Sequence, residues 1–164
     1  ASNLVDAQGV WETQMALWGA VQGHGNLIYH AAGWQEGGLV ASYEKFIVDV
    51  EMLQEMSVIL APVYVSDDEL ALFAHDEVAP GGHFFGASHT LSRYRDAFYT
   101  PLLSDWSNFE NWQANGSMTA TQRAIPIWQA ALENYEPPAL DSARVEALDA
   151  FVARRKEEIG TGEL

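Results

Sequence analysis

The stretch NLIYH, residues 26–30, decides which fold this sequence can adopt. It is aliphatic and aromatic in the middle, it follows the break Gly23-His24-Gly25, and the small residues AAG come after it. Short apolar runs bounded by turn residues are typical of a buried strand. One strand cannot pair its own backbone groups, so we expect its partners in another chain or in a larger sheet that these residues do not encode.

Apolar residues at helical spacing surround this strand. They predict a helix over 4–22 with Asp6 as its cap, and a second over 43–60 that begins after Ser42 and stops before Pro62. Helix, strand, glycine loop and helix is the order of one α/β unit with a parallel strand. Further helices are predicted over 66–78, 92–99, 119–135 and 141–159, the third interrupted by Pro126, and the tail GTGEL is expected to fray.

The charge of the chain excludes some partners. Its net charge is -15, with 12 acidic residues against Lys45 alone in residues 1–92. Phosphate backbones and anionic membranes repel such a surface, so no nucleic acid and no membrane partner is expected. Acidity favours a cationic substrate or a basic protein face, or it serves solubility alone. The absence of cysteine, of a long apolar run and of a basic leader predicts a cytoplasmic protein.

Three blocks of sequence are long and unusual: IYHAAGWQEGGLVASYEKFIVDVEML (28–53), APGGHFFGASHTLSRYRDAFYTPLLSDWSNFENW (79–112), and ENYEPPALD (133–141) with a closing AFVARRK (150–156). In order and spacing these blocks resemble the C-terminal part of the trimethylamine methyltransferase family of corrinoid-dependent enzymes. The resemblance covers nearly the whole chain.

The resemblance implies a (β/α)8 TIM barrel followed by extra helices. Such barrels need at least about 200 residues. We therefore expect a single unit that is a C-terminal fragment of a barrel, mainly α with one or two short parallel strands. Residues 1–90 would be the last βα units and residues 91–164 a helical C-terminal extension, from a truncated or split gene.

The resemblance also implies the chemistry. The family moves a methyl group from a methylated amine to the cobalt of a corrinoid (cobalamin) that a partner protein carries, so no cofactor is expected on this chain itself. Members with pyrrolysine act on trimethylamine, and relatives without it act on quaternary amines such as glycine betaine. The special residue would lie at or before the start of this chain, which leaves the amine open.

Reactive residues of barrels follow the C-terminal ends of strands. This predicts His30 as the catalytic residue and Trp34, Gln35 and Glu36, in the glycine loop, as the substrate-binding residues. Trp34 could form one side of a cage for a methylated ammonium. The alternative is that His30 is structural and Trp34 belongs to the core.

The glycine-rich loop PGGHFFGASHT, residues 80–90, contains no phosphate-binding motif. Its two histidines are six residues apart without an HExxH pattern, so no metal site is predicted. By the resemblance it lies at the pocket mouth, where the corrinoid protein docks, and we expect one Phe to be buried and the histidines to be accessible. The predicted contact residues are Gly82, His83, Phe84, Phe85 and His89.

Two other classes of function stay open. The aromatic region 80–112 could serve a non-enzymatic helical interaction module derived from the same fold. The histidines could serve a self-contained metal enzyme. The residues also leave open whether the chain forms a homo-oligomer or associates with the missing barrel portion.

Overall fold

Residues 2–160 are described by a computed structural model, and within them the chain is mainly helical with one small sheet. The expected fraying of the tail falls, beyond Gly160, outside the described residues. The helices are α1 (Ala7–Gln22), α2 (Tyr43–Ile59), α3 (Asp67–Leu70), α4 (Ser88–Arg93), α5 (Phe109–Ala114), α6 (Ala120–Glu133) and α7 (Ser142–Ile159); the strands are β1 (Trp34–Gln35) and β2 (Val40–Ala41).

The sheet is antiparallel, so the prediction of parallel strands was wrong. It pairs Trp34 with Ala41 and Gln35 with Val40. Residues 26–30 are irregular, and within residues 2–160 no strand lies beside them. Without a neighbouring strand the segment stays exposed at Leu27 (71%), and it ends at His30 in a left-handed conformation with φ 58°. The strands form instead around the glycine loop that follows.

Local capping signals locate the long helices of the first 130 residues correctly. The Asp6 carboxylate accepts the Gly9 N–H at the start of α1, and the Ser42 hydroxyl accepts the Lys45 N–H at the start of α2. Before α6 the bonds between Thr119 and Gln122 are reciprocal, at 3.2 and 2.8 Å. These side chains pair backbone donors that a helix start leaves free.

Two predicted helices differ from those observed. The Ser66 hydroxyl does accept the Glu69 N–H, but α3 ends after one turn because Ala71 is left-handed, with φ 53°. A 3₁₀ helix, Leu72–Glu77, follows it. Of the helix predicted over 92–99 only the first two residues are helical: α4 begins at Ser88, whose N–H donates to the Glu77 carboxylate at 2.7 Å, and it ends at Arg93.

The predicted interruption at Pro126 was also wrong. α6 runs through this residue as one helix. Proline lacks an N–H and so removes one hydrogen bond from the helix. The neighbouring bonds of α6 are enough to keep the helix continuous.

The chain divides into two compact units, one ending at Ala130 and one beginning at Ala131. The second contains α7, whose first N–H groups, from Ala143 and Arg144, donate to the Asp141 carboxylate. The boundary predicted between the barrel units and the helical extension, at residues 90 and 91, stays a prediction. Within residues 2–160 no helix combines the length and the apolar character needed to cross a membrane.

Helix α2 carries both hydrophobic clusters of the first unit. One face packs Ile47 and Val48 with Leu103 and Ala124, and partly buried side chains surround them. Towards the C-terminal end of α2, a second cluster contains Leu17, Met52 and Met56. Because α1 contributes Leu17 and flanking residues, the two helices form one packed pair that supports the candidate site.

Glu51 of α2 holds the segment that leads into α5. Its carboxylate accepts the N–H groups of Leu102 (2.7 Å), Leu103 (3.1 Å) and Ser104 (3.0 Å), together with the Tyr99 hydroxyl (3.2 Å). Burial by itself would raise the pKa of Glu51, but the hydrogen bonds from Ser104 and the backbone lower this pKa below its ordinary value. The carboxylate is therefore held in its charged form.

Candidate functional site

A small cleft lies between α1 and the loop that ends in β1. Its volume is about 270 Å³, slightly below the roughly 300–1,000 Å³ of typical small-molecule sites. Such a volume suits a ligand of a few heavy atoms. The lining residues include Glu12 and Thr13 of α1, residues Ile28 to Ala31, Trp34, Gln35 and Lys45.

Two aromatic side chains face each other at this cleft. The rings of His30 and Trp34 have centroids 4.9 Å apart and are tilted by 44°. Both residues are exposed, Trp34 by 38%, so neither belongs to the core. The face of an indole ring attracts cations, most strongly when water is excluded. The pair therefore offers a surface for a small cation.

The structure brings three of the four predicted residues together. His30, Trp34 and Gln35 line the cleft, and Gln35 is buried (7% exposed). Glu36 is not among the lining residues; it is exposed, its φ is 49°, and its N–H donates to the Ser2 carbonyl at 3.0 Å. The roles of all four residues stay predictions, and Glu36 is the one that does not line the cleft with the other three.

Glu12 adds a negative charge to the lining. Its carboxylate accepts a hydrogen bond from the Gln8 side chain at 2.8 Å and one from the Ser2 N–H at 2.8 Å. The bond from Gln8 is the main reason why the pKa of Glu12 lies below its ordinary value. The carboxylate is thus ionised at neutral pH. Because Asp49 offsets the charge of Lys45, Glu12 makes the net charge at the cleft negative, which suits a cation better than an anion.

A buried ion pair supports the cleft, with Lys45 in its lining and Asp49 behind it, and the residue pattern alone did not predict this pair. Lys45 and Asp49, one turn apart on α2, are each 1% exposed and form a salt bridge. Lys45 Nζ also donates to the Thr13 hydroxyl at 2.8 Å, and the second Asp49 oxygen accepts the Gly33 N–H at 2.8 Å. A signal was present, because Lys45 is the sole basic residue before Arg93.

Gly33 is a position where only glycine fits. Its φ of 87° is unfavourable for residues with a side chain, and a Cβ there would lie 3.3 Å from the Phe46 Cβ. Its carbonyl accepts the Ser42 N–H at 3.0 Å, while its own N–H donates to Asp49. Both backbone groups are therefore tied to α2 or its cap, next to Trp34.

The loop at residues 80–90 rests on the 3₁₀ helix before it. The rings of His75 and Phe84 are 5.2 Å apart, those of Phe73 and His89 are 5.9 Å apart, and the His89 Nε2 lies 3.0 Å from the Asp68 carbonyl. These contacts hold the loop against α3 and the 3₁₀ helix, so that it forms a patch separate from the cleft. None of its predicted contact residues is among those that line the cleft.

The expectation of one buried phenylalanine in this loop was wrong. Phe84 is 41% exposed and Phe85 is 79% exposed, and both lie in a short 3₁₀ helix, Phe84–Gly86. Phe85 contacts His83, with ring centroids 4.9 Å apart. His83 is exposed, as expected, whereas His89 is half-buried. Gly82 has no room for a side chain, since a Cβ would lie 2.9 Å from the Ala79 carbonyl oxygen.

The histidines do not assemble into a metal site in the part of the chain that the structure describes. Within residues 2–160, no group of three or more His, Asp or Glu side chains is arranged to hold a metal ion. The cleft itself presents an aromatic pair, a carboxylate and buried polar groups.

The indole, the imidazole and the carboxylate of this cleft are groups that can contact a small cation. The family model for trimethylamine methyltransferase (MTTB) matches residues 1–160. The chain belongs to the trimethylamine methyltransferase family, as the resemblance in three blocks predicted.

Relatives of this chain are also methyltransferases by name. It is 38% identical over 159 residues to the glycine betaine methyltransferase of Desulfitobacterium hafniense, covering 97% of this chain and 33% of that protein. It is 28% identical over 127 residues to trimethylamine methyltransferase MttB2 of Methanosarcina mazei, covering 77% of this chain and 25% of that protein. For MttB of Methanosarcina barkeri the identity is 26% over 147 residues, covering 90% of this chain and 29% of that protein. The chain spans between a quarter and a third of the length of these relatives.

Proposed function

We propose that this chain is part of a methyltransferase that moves a methyl group from a methylated amine to a corrinoid protein. The single observation that carries the proposal is the cleft of His30, Trp34 and Gln35 in a chain of the trimethylamine methyltransferase family. An indole face, an imidazole and the Glu12 carboxylate suit a trimethylammonium group. The acidic balance of the chain would attract such a cation.

We propose a quaternary amine such as glycine betaine as the substrate, with trimethylamine as the alternative. The higher identity to a glycine betaine methyltransferase, 38% against 28% and 26%, supports this order. In the cleft, His30 and Trp34 would touch the methylated nitrogen and hold one methyl group in line for transfer. Orientation and exclusion of water are what the protein contributes to such a step.

The cleft does not fit a corrin ring, because its 270 Å³ is below the usual size even for small-molecule sites. The proposal therefore assigns the corrinoid to a partner protein, which would supply the electron pair that accepts the methyl group while the C–N pair stays on nitrogen. The proposed docking surface is the exposed part of the loop, with Gly82, His83, Phe84 and Phe85, and with His89 beside them.

A methyl-transfer assay tests this proposal. The chain is incubated with glycine betaine or trimethylamine and a reduced corrinoid protein, alone and together with a polypeptide that supplies the N-terminal two thirds of a family sequence. We expect turnover in the mixture and little in the chain alone. In the mixture, His30→Ala should lower kcat/KM by about 10²-fold, the usual cost of a misplaced substrate. Full turnover by the isolated chain would contradict its being incomplete, and no turnover in the mixture would contradict the function.

Removal of the indole should weaken binding of the amine. Trp34→Ala deletes a cation–π contact of about 0.5–2 kcal/mol, so the Kd for glycine betaine should rise about 2- to 30-fold. Titration calorimetry measures this Kd. Trp106→Ala is the matched control, because Trp106 is exposed (68%) and does not line the cleft. Equal losses in the two variants would contradict a role of Trp34 in binding.

The exposed area of the chain favours a second candidate, a helical interaction module. Phe85, Phe98 and Trp106 are each more than two thirds exposed. Self-association in light scattering, with no heat of binding for glycine betaine, would favour this candidate over the methyltransferase. A missing remainder of the enzyme would account for the same exposed surface.

A further inference from the structure

The wall of the cleft depends on one buried hydrogen bond. Asp49 sits on α2, Gly33 precedes β1, and the bond between the Gly33 N–H and Asp49 measures 2.8 Å in a region that excludes water. Asp49 does not line the cleft itself. It is connected to the cleft through Gly33, the residue directly before Trp34.

Lys45 keeps Asp49 in place for this contact. The salt bridge occupies one carboxylate oxygen and leaves the other for Gly33. Lys45 is itself held by the Thr13 hydroxyl on α1. The network therefore joins α1, α2 and the strand of the cleft, and it fixes the distance between the helix that carries Glu12 and the loop that carries Trp34.

We propose that Asp49 is the positioning residue of the cleft: by accepting the Gly33 N–H it fixes Trp34 against His30. The identity of the ligand in this proposal rests on the proposed function. The role of Asp49 in holding Gly33 and Trp34 can be tested without any ligand. A hydrogen bond to a charged group contributes enough to slow amide exchange at Gly33 by about 10- to 100-fold. Loss of this bond frees the β1 end of the loop and with it the Trp34 ring.

The test compares two double variants of the 164-residue chain. Asp49→Ala alone would leave Lys45 buried without its partner and could unfold the protein. Both variants therefore carry Lys45→Met, which removes the charge and keeps an unbranched side chain that is one atom shorter. K45M/D49N retains an oxygen that can accept the Gly33 N–H, and K45M/D49A does not.

Hydrogen exchange of the Gly33 amide, measured by NMR, decides the proposal. We expect exchange to stay slow in K45M/D49N and to become about 10- to 100-fold faster in K45M/D49A. The Trp34 indole resonance should shift in K45M/D49A, whereas the resonance of the partly buried Trp128 indole, bonded to Glu44 at 3.0 Å, should not. Rescue by asparagine and the unmoved Trp128 separate positioning from general destabilisation. Equal exchange rates in the two variants would overturn the proposal.

A titration with glycine betaine then separates this inference from the proposed function. With Trp34 as the reporter, the Kd should be about tenfold higher for K45M/D49A than for K45M/D49N. If no form of the protein binds glycine betaine, the proposed function fails, while the exchange rates still decide whether Asp49 positions Gly33. If both variants bind equally, with exchange that differs as expected, Asp49 holds the loop without affecting the site, and the positioning role is refuted.

Discussion

Replacing Lys45 with methionine is expected to lower the free energy of unfolding by about 3–5 kcal/mol, one of the two largest losses we predict for a single residue. The variant leaves the Asp49 carboxylate, which is 1% exposed, without its counterion. A charge kept from water and from its partner is costly. The second oxygen of Asp49 still accepts the Gly33 N–H, but one hydrogen bond to the carboxylate does not replace an ion pair. Urea denaturation measures the loss.

Two further variants test whether the loss comes from the buried, unpaired charge of Asp49. K45M/D49N should recover most of the lost stability, because it removes the unpaired charge and keeps an acceptor for Gly33. Arg93→Met is the matched control: its salt bridge with Asp68 lies at the surface, with side chains 29% and 61% exposed, and should cost at most about 1 kcal/mol. Equal losses for Lys45→Met and Arg93→Met would show that the burial of the Lys45 pair has no energetic consequence.

Sequence alone predicts the features of the fold that depend on contacts between residues close together in the chain. The caps at Asp6, Ser42 and Thr119 involve residues at most three positions apart, so their hydrogen bonds follow from composition and spacing. The helix starts that depend on distant groups are different. The bond between Glu77 and Ser88 spans 11 residues and moves the start of α4, which local propensity could not show.

The error at residues 26–30 has a similar cause. Aliphatic and aromatic residues of this kind favour a strand, but a strand exists only when another one pairs with it. In the described residues the pairing is found eight residues later, between Trp34 and Ala41, across a loop in which Gly37 and Gly38 have φ of 65° and 90°. The glycines predict a loop, but they do not by themselves predict that this loop turns the chain back so that β1 and β2 pair.

The candidate site was predicted in part for a physical reason. His30, Trp34 and Gln35 are close in sequence, so any compact loop brings them near each other. The pair of Lys45 and Asp49 has the spacing of helix neighbours, yet an i,i+4 pair is usually a solvated one. Its burial depends on α1, because Thr13 lies 32 residues away from Lys45. Contacts at that separation are not visible in spacing alone.

Glu51→Ala should cost about 3–4 kcal/mol, by a mechanism unlike that of Lys45. It removes the acceptor of three consecutive N–H groups, of which Leu103 is buried in the first cluster. Hydrogen bonds to a charged group contribute about 1.5–3 kcal/mol each, and they are not additive. Tyr99→Phe removes only the hydroxyl, which is shared between Glu51 (3.2 Å) and Gln54 (3.1 Å), and should cost about 1 kcal/mol. Glu55→Gln, one turn along α2, is the control and should change stability by less than about 0.5 kcal/mol.

The cost of Glu51→Ala should also depend on pH, with a sign that the hydrogen bonds determine. They lower the pKa of Glu51 in the native state, so the unfolded chain binds this proton more readily than the folded one. The stability that the charged carboxylate contributes is therefore present above the unfolded-state pKa and is lost as pH falls through the native-state pKa. In urea denaturation the gap between wild type and Glu51→Ala should narrow from neutral to acidic pH. The pKa of Glu55 is raised, by burial first and by the charge of Glu51 second, so its contribution runs in the opposite direction. A gap that stays constant down to strongly acidic pH would mean that uncharged contacts of Glu51, and not its carboxylate, hold residues 102–104.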